Sequence, residues 1–168
     1  LNNPLGDGVN AIIKVFEETP RLRTLCGFEE GTESIDWNDS EKGVADATLL
    51  AAELRAGRAI AVLAEVVLDG NQFTGAVRER GNWKNIDSQM EGFIALCSVI
   101  GKVPKISLAN CQLGPASAAE LAKAVSNAGA VLAEVVLDGN QLTGAVRERG
   151  DWKNIDSQME GFIALCSV

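Results

Sequence analysis

The sequence predicts an α/β repeat protein, a right-handed solenoid with parallel strands on its concave face and helices on its convex face. One observation is that residues 61–99 recur almost unchanged at 130–168. Another is that short segments with strand periodicity alternate with segments of helical periodicity. We therefore expect a single domain over residues 1–168, built from about five stacked repeats. The two near-duplicate units differ only by Phe73 to Leu142 and Asn82 to Asp151.

Three strand segments share one spacing of apolar residues, and a fourth shares it in degenerate form. Because successive side chains of a strand point to opposite faces, this spacing buries one row of side chains and exposes the other. A strand and helix joined in this way cannot bury their apolar faces alone, so we expect the strands to stack in parallel. The segments are 63–73, 103–113 and 132–142, with the degenerate copy at 35–40.

Five segments carry apolar residues at i, i+3, i+4 and i+7, which is typical of one face of an amphipathic helix. Two of these segments follow a serine placed three residues before a glutamate, a spacing that predicts capping boxes at Ser88–Glu91 and Ser157–Glu160. The apolar stripes are Val9, Ile12, Ile13 and Phe16; Ala47, Leu50, Ala51 and Leu54; Met90, Phe93, Ile94 and Cys97; Ala118, Leu121, Ala122 and Val125; and Met159, Phe162, Ile163 and Cys166.

The strand spacing L-x-x-L-x-L-x-x-N/C-x-L resembles that of leucine-rich repeats, and the repeat lengths are similar to those of the ribonuclease-inhibitor-like class. One repeat type is lengthened by an insertion. The resemblance implies a horseshoe-shaped arc that serves as a non-catalytic scaffold for protein–protein interaction. It also implies a structural ladder, in which a polar side chain after each strand bonds the backbone of the turn. The ladder residues of this chain are Ser40, Asn71, Cys111 and Asn140.

The outward strand positions form the binding surface that the resemblance implies. Acidic side chains predominate there, which favours a partner protein with a basic surface, and Val67 and Val136 offer apolar contact. The alternative is that an acidic face only keeps the protein soluble. The candidate residues on the concave face are Glu65, Val67, Asp69, Lys105, Ser107, Glu134, Val136 and Asp138.

The insertions at 76–87 and 145–156 are a second candidate site. Each combines arginine, tryptophan and lysine on a turn that Gly81 or Gly150 permits. Because one short repeat separates them, we expect both tryptophans on the same edge, close enough to hold one partner. The alternative is that they only cover the ends of strands or helices. The candidates are Arg78, Arg80, Trp83, Lys84, Arg147, Arg149, Trp152 and Lys153.

Composition restricts the classes of partner and chemistry. The formal net charge of −8 disfavours nucleic acid and anionic membranes. No apolar run approaches the roughly 20 residues that span a bilayer, so we expect no direct membrane insertion. Histidine is absent, and no motif indicates a catalytic centre, a metal or a cofactor. We expect four reduced, buried cysteines, with Cys26 in a strand, which favours a reducing intracellular compartment.

Both ends of the sequence match interior points of the repeat. Asn3 and Leu5 fit the tail of a further copy, and Val168 corresponds to Val99, after which the first unit continues into a new strand. We therefore expect a part of a longer chain or of a larger assembly. The alternative function is a structural or peripheral subunit held permanently in a multiprotein complex.

Overall fold

The computed structural model describes residues 8–129, 131–148 and 151–167, with the backbone but not the side chains of Arg147 and Glu148. The match of Asn3 and Leu5 to a further copy lies outside the described residues. In the described part, the helices are α1 (Gly8–Glu18), α2 (Val44–Ala56), α3 (Glu91–Cys97), α4 (Pro115–Asn127) and α5 (Glu160–Cys166). The strands are β1 (Ser34–Asp36), β2 (Glu65–Val67), β3 (Val77–Glu79), β4 (Asn82–Lys84), β5 (Lys105–Ser107), β6 (Glu134–Val136), β7 (Val146–Glu148) and β8 (Asp151–Lys153).

The expected α/β architecture with parallel strands is confirmed. Strands β1, β2, β5 and β6 form one four-stranded parallel sheet in that order. Their register aligns Ile35, Val66, Ile106 and Val135, the central apolar residue of each strand. The register follows from the repeat, since each strand can bury this residue only by presenting it on the same face as its neighbours.

The core lies between one face of this sheet and the helices. Val66, Ile106 and Leu108 from the strand segments and Leu50 and Phe93 from the helices belong to one apolar cluster, and none of the five is exposed to solvent. Each strand therefore shares an interior with the helix that follows it. Trp37, at an inward position of the first repeat, is only 8% exposed, as the strand pattern predicts.

The two near-duplicate units adopt the same sequence of elements. In the first, β2 is followed by the β3–β4 pair and α3; in the second, β6 is followed by the β7–β8 pair and α5. The insertions are therefore antiparallel hairpins and not irregular loops. In the first hairpin the turn consists of Arg80 and Gly81, both with positive φ, which matches the right-handed twist of the flanking strands.

The two predicted capping boxes are wrong. Helices α3 and α5 begin at Glu91 and Glu160, and Ser88 and Ser157 lie before them in turns. The reason is a competing backbone contact, because the N–H of the residue after Ser88, Gln89, donates to the carbonyl of Thr74. This bond ties the serine segment to the preceding loop, so the helix starts two residues later than predicted.

Gly92 allows α3 to lie against the start of α2. A Cβ atom at this position would come 2.2 Å from the carbonyl oxygen of Val44, which is backbone and cannot move away freely. We expect Gly92→Ala to lower the free energy of unfolding by about 1 kcal/mol, because the clash outweighs the gain in helix propensity. Urea denaturation measures the change. The matched control is Gly8→Ala in α1, where a Cβ meets no atom within 4 Å and no loss is expected.

The cysteines differ in exposure, which corrects two of the predictions. Cys26 lies half-buried in a bend and not in a strand, and Cys166 is exposed on α5, whereas Cys97 and Cys111 are buried. Cys97 lies in the groove between α3 and α4. Helix α5 packs on α4, and within the described residues no further helix packs against its other side, where Cys166 is exposed. All four cysteines are free thiols.

Thiol reactivity should follow this difference in exposure. Burial raises the pKa of Cys26, Cys97 and Cys111 to about 12. At pH 8 these groups stay protonated, and the thiolate is the nucleophile. We expect Ellman's reagent to react quickly with Cys166 and with the other three only after unfolding. Rapid release of more than one equivalent from the folded protein would contradict the burial.

Candidate protein-binding surfaces

The predicted ladder positions lie in the turns that follow the strands, and three of the four bond the backbone of two consecutive turns. The Asn71 side chain is fully buried, and its Nδ2 donates to the carbonyls of Trp37 at 2.7 Å and Leu68 at 2.8 Å. Its Oδ1 accepts the N–H of Lys42 at 2.7 Å. Buried backbone groups need such partners. One amide thus joins the turn of its own repeat to the turn before it.

Asn140 and Cys111 also bond the turn of the preceding repeat, whereas Ser40 bonds only within its own turn. Asn140 donates to the carbonyls of Leu108 and Leu137, both at 2.8 Å. The thiol of Cys111 lies 3.2 Å from the carbonyl oxygen of Leu68 in the preceding repeat. Ser40 donates to the carbonyl of Asn38 within its own turn.

The outward side chains of the sheet stand in rows that cross the strands. The register places Glu65, Lys105 and Glu134 in one row and Val67, Ser107 and Val136 in the next. Neighbouring strands lie about 4.8 Å apart, so each row is a continuous surface. The third row carries Asp69, Ala109 and Asp138.

Lys105 joins the acidic residues on both sides of it. Its Nζ lies 3.2 Å from Oε1 of Glu65 and 3.4 Å from Oε1 of Glu134. The hydrogen bonds to these two carboxylates raise the pKa of Lys105 above its usual value. The row is therefore a cross-strand ion-pair network in which one positive charge is shared by two negative ones.

The middle of the face is more enclosed than the sequence indicates. Ser107 is only 6% exposed, and its hydroxyl donates to Oδ1 of Asp69 at 2.6 Å. The same oxygen accepts the N–H of Ala109 at 2.8 Å. Asp69 is thus held by its neighbours, whereas Asp138 at the same position two strands away is exposed. Free carboxylates lie mainly towards the two outer strands.

The two hairpins lie side by side at one edge of the molecule, because β4 is next to β7. Between them is a cleft of about 230 Å³. Trp83 and Trp152 both line it, and Arg78 lies directly opposite Trp83 in the hairpin register. The amides of Gln112 and Gln141 bond each other in its wall. The structure therefore places both insertion tryptophans at one site.

The remaining insertion candidates with described side chains lie on the hairpins outside the lining of this cleft. Arg80, Lys84 and Lys153 are exposed on the hairpins. Arg147 stands opposite Trp152 in the register of the second hairpin, and Arg149 and Gly150 lie outside the described residues.

Sequence reasoning missed the role of Asp87, at the end of the first insertion. Its carboxylate accepts the N–H groups of Gly114 at 3.1 Å, Ala116 at 2.9 Å and Ser117 at 3.2 Å, and the Ser117 hydroxyl at 2.5 Å. It therefore caps α4 of the following repeat. The chain offers no local signal for this contact, since the partners lie about 30 residues apart.

No family model, curated protein or solved structure matches this chain. None of the helices in the described ranges is both long and apolar enough to cross a membrane. Within the same ranges, no three acidic, cysteine or histidine side chains converge as metal ligands would. The surfaces must therefore be interpreted from their own chemistry.

Proposed function

We propose that this chain is a leucine-rich-repeat solenoid of the ribonuclease-inhibitor-like kind, and that it acts as a non-catalytic scaffold for binding another protein. The observation that carries the proposal is the set of side-chain rows on the outer face of the parallel sheet. Rows of side chains spread across a sheet suit contact with a protein surface better than the enclosure of a small molecule. The buried amides of Asn71 and Asn140 support the repeat assignment, because they join successive turns of backbone.

The charges of the face favour a partner with a basic surface. Glu33 and Asp36 on the first strand segment and Asp138 on the last are exposed, and Lys105 is the only basic residue in the rows. That lysine is already paired with Glu65 and Glu134. A basic partner would meet uncompensated carboxylates at both sides of the face, which speeds association and selects against acidic proteins.

Charge reversal on this face tests the proposal. The intact protein is immobilised, and the proteins it retains from a cell extract are quantified by mass spectrometry. We expect Asp36→Lys combined with Asp138→Lys to reduce the specifically retained protein at least tenfold. The control, Glu29→Lys combined with Glu41→Lys, makes the same change in net charge at exposed positions outside the sheet rows.

The two variants separate a binding face from a general effect of charge. If both lose the retained protein equally, only net charge matters and the proposed binding face is wrong. If neither loses it, the partner binds elsewhere. Circular dichroism of both variants shows whether each retains the fold.

A structural subunit is the second candidate, and exposed apolar residues on the last repeat favour it. Ile155 is 64% exposed, whereas its counterpart Ile86 in the first unit is half-buried beside the start of α4. Ile163 is 57% exposed on α5. Permanent interfaces bury such side chains. Sedimentation of the purified protein tests this function, because a free binding module stays monomeric and a subunit lacking its neighbour self-associates.

A further inference from the structure

We propose that the cleft between the two hairpins, lined by Trp83 and Trp152, is a second binding site that takes an acidic peptide segment carrying an aromatic or aliphatic side chain. This site extends the proposed protein-binding function to a surface apart from the sheet face. Two observations carry it, namely the shape of the cleft with its two indoles and the cations of the two hairpins, of which Arg78 lines the cleft.

The shape of the cleft suits one large side chain. Its volume of about 230 Å³ is below the range of about 300–1,000 Å³ typical of small-molecule sites. Two indole rings line it, and that of Trp152 is 53% exposed, so apolar surface is available before any ligand arrives. Tryptophan and arginine are the residues that contribute most often to binding energy at protein interfaces. An aromatic or aliphatic side chain inserted here would bury that surface.

The basic residues of the hairpins differ from most of those elsewhere. In the described part of the chain, five basic side chains away from the hairpins form ion pairs, whereas Arg78, Arg80, Lys84 and Lys153 on the hairpins form none. Glu79 and Asp151 are the acidic residues of the hairpins with described side chains, and both are exposed. In a chain of net charge −8, the cation Arg78 in the cleft and three more on the same hairpins favour a negatively charged ligand. The paired residues are Lys14, Arg23, Arg55, Lys105 and Lys123.

A peptide segment matches both features, with its apolar side chain between the indoles and its carboxylate at Arg78. The wall behind them is closed by the amides of Gln112 and Gln141, which bond each other at 2.8 Å.

The test uses the indole N–H signals of the intact, ¹⁵N-labelled protein. The probe is the capped peptide acetyl-Gly-Asp-Glu-Phe-Asp-Glu-Gly-amide, with a neutral Asn/Gln version as the control ligand. We expect the acidic peptide to shift the signals of Trp83 and Trp152 and to leave that of Trp37, which is buried in the core, unchanged. The neutral peptide should bind at least tenfold more weakly.

Variants locate the effect at the cleft. We expect Trp152→Ala and Arg78→Ala each to weaken binding of the acidic peptide at least fivefold, whereas Arg21→Ala, an exposed arginine elsewhere, changes nothing. Equal binding of the neutral peptide, or no shift at millimolar peptide, overturns the proposal. Tighter binding of single-stranded oligothymidine at the same indoles also overturns it. None of these outcomes bears on the sheet face, which the charge-reversal experiment tests separately.

Discussion

Asn71→Ala should lower the free energy of unfolding by about 4 kcal/mol, a large loss for a polar side chain. The side chain is fully buried and bonds the carbonyls of Trp37 and Leu68 and the N–H of Lys42. Alanine would remove the acceptor of the buried Lys42 N–H, and such a loss at a buried group costs about 1–3 kcal/mol. The two carbonyls would each lose one of two donors, because that of Trp37 also accepts the N–H of Ser40 and that of Leu68 also lies beside the Cys111 thiol. Each of these lost bonds adds about 0.5–1.5 kcal/mol. Urea denaturation of the variant and the natural protein measures the difference. It is read from the shift of the denaturation midpoint, provided that the two proteins have the same dependence of free energy on urea concentration.

Asn140→Ala is the matched comparison. Asn140 occupies the same position in the duplicate unit and makes analogous bonds, but it is half-buried. Water can reach the groups that its removal exposes, so we expect about half the loss, roughly 2 kcal/mol. Asn71→Ser provides a further measurement if Asn71→Ala fails to fold. We expect its loss of free energy of unfolding to lie between the losses of Asn71→Ala and Asn140→Ala. Equal stabilities of Asn71→Ala and the natural protein would mean that the amide does not join the turns as described.

Asp87→Ala should cost about 2 kcal/mol and weaken the junction between the second and third repeats. The carboxylate caps α4 through three backbone N–H groups and the hydroxyl of Ser117. A negative charge at a helix N-terminus adds to this capping effect. Hydrogen exchange followed by mass spectrometry should show faster exchange at the start of α4, together with a lower urea midpoint.

The duplicated sequence supplies an internal control for Asp87. Asp156 has the same neighbours in sequence and the same left-handed backbone conformation, with φ of 55° against 58° for Asp87. It is exposed, and no hydrogen bond of its side chain is found among the described residues. We expect Asp156→Ala to change stability by less than about 0.5 kcal/mol. A loss at Asp156 as large as that at Asp87 would show that the turn itself, and not the cap, accounts for the effect.

The sheet and the helices could be predicted from the sequence because their signals are local and repeated. The alternation around Val66, Ile106 and Val135 determines which side chains are buried, and the 69-residue offset between the near-duplicate units shows that the pattern recurs. Helical spacing places the five helices for the same reason. Both patterns arise from burial, because apolar residues recur at the positions that face the core.

The hairpins and the helix starts could not be predicted as well. Each strand of the first hairpin has three residues, too few for alternation to show, and its turn places Arg80 at φ 49°, a conformation that arginine seldom adopts. Ser88 has the spacing of a capping residue, yet the bond from Gln89 to Thr74 holds its segment outside the helix. The contact between Asp87 and α4 depends on how repeats stack, which no local pattern encodes.

The candidate surfaces could also be predicted only in part from the sequence. The outward positions of Glu65 and Glu134 follow from alternation alone, but their pairing with Lys105 depends on the register between strands. The proximity of Trp83 and Trp152 was expected from the repeat spacing. The cleft between them depends on the hairpins, which the sequence pattern did not reveal.

The most direct test of the account is the pairing of the central strand residues. Nuclear Overhauser effects between backbone protons of the labelled protein report which residues face each other across strands. The account predicts a parallel pattern that links Val66 with Ile106 and Ile106 with Val135. An antiparallel pattern, or no contact between these segments, would contradict the stacked sheet and the binding face proposed on it.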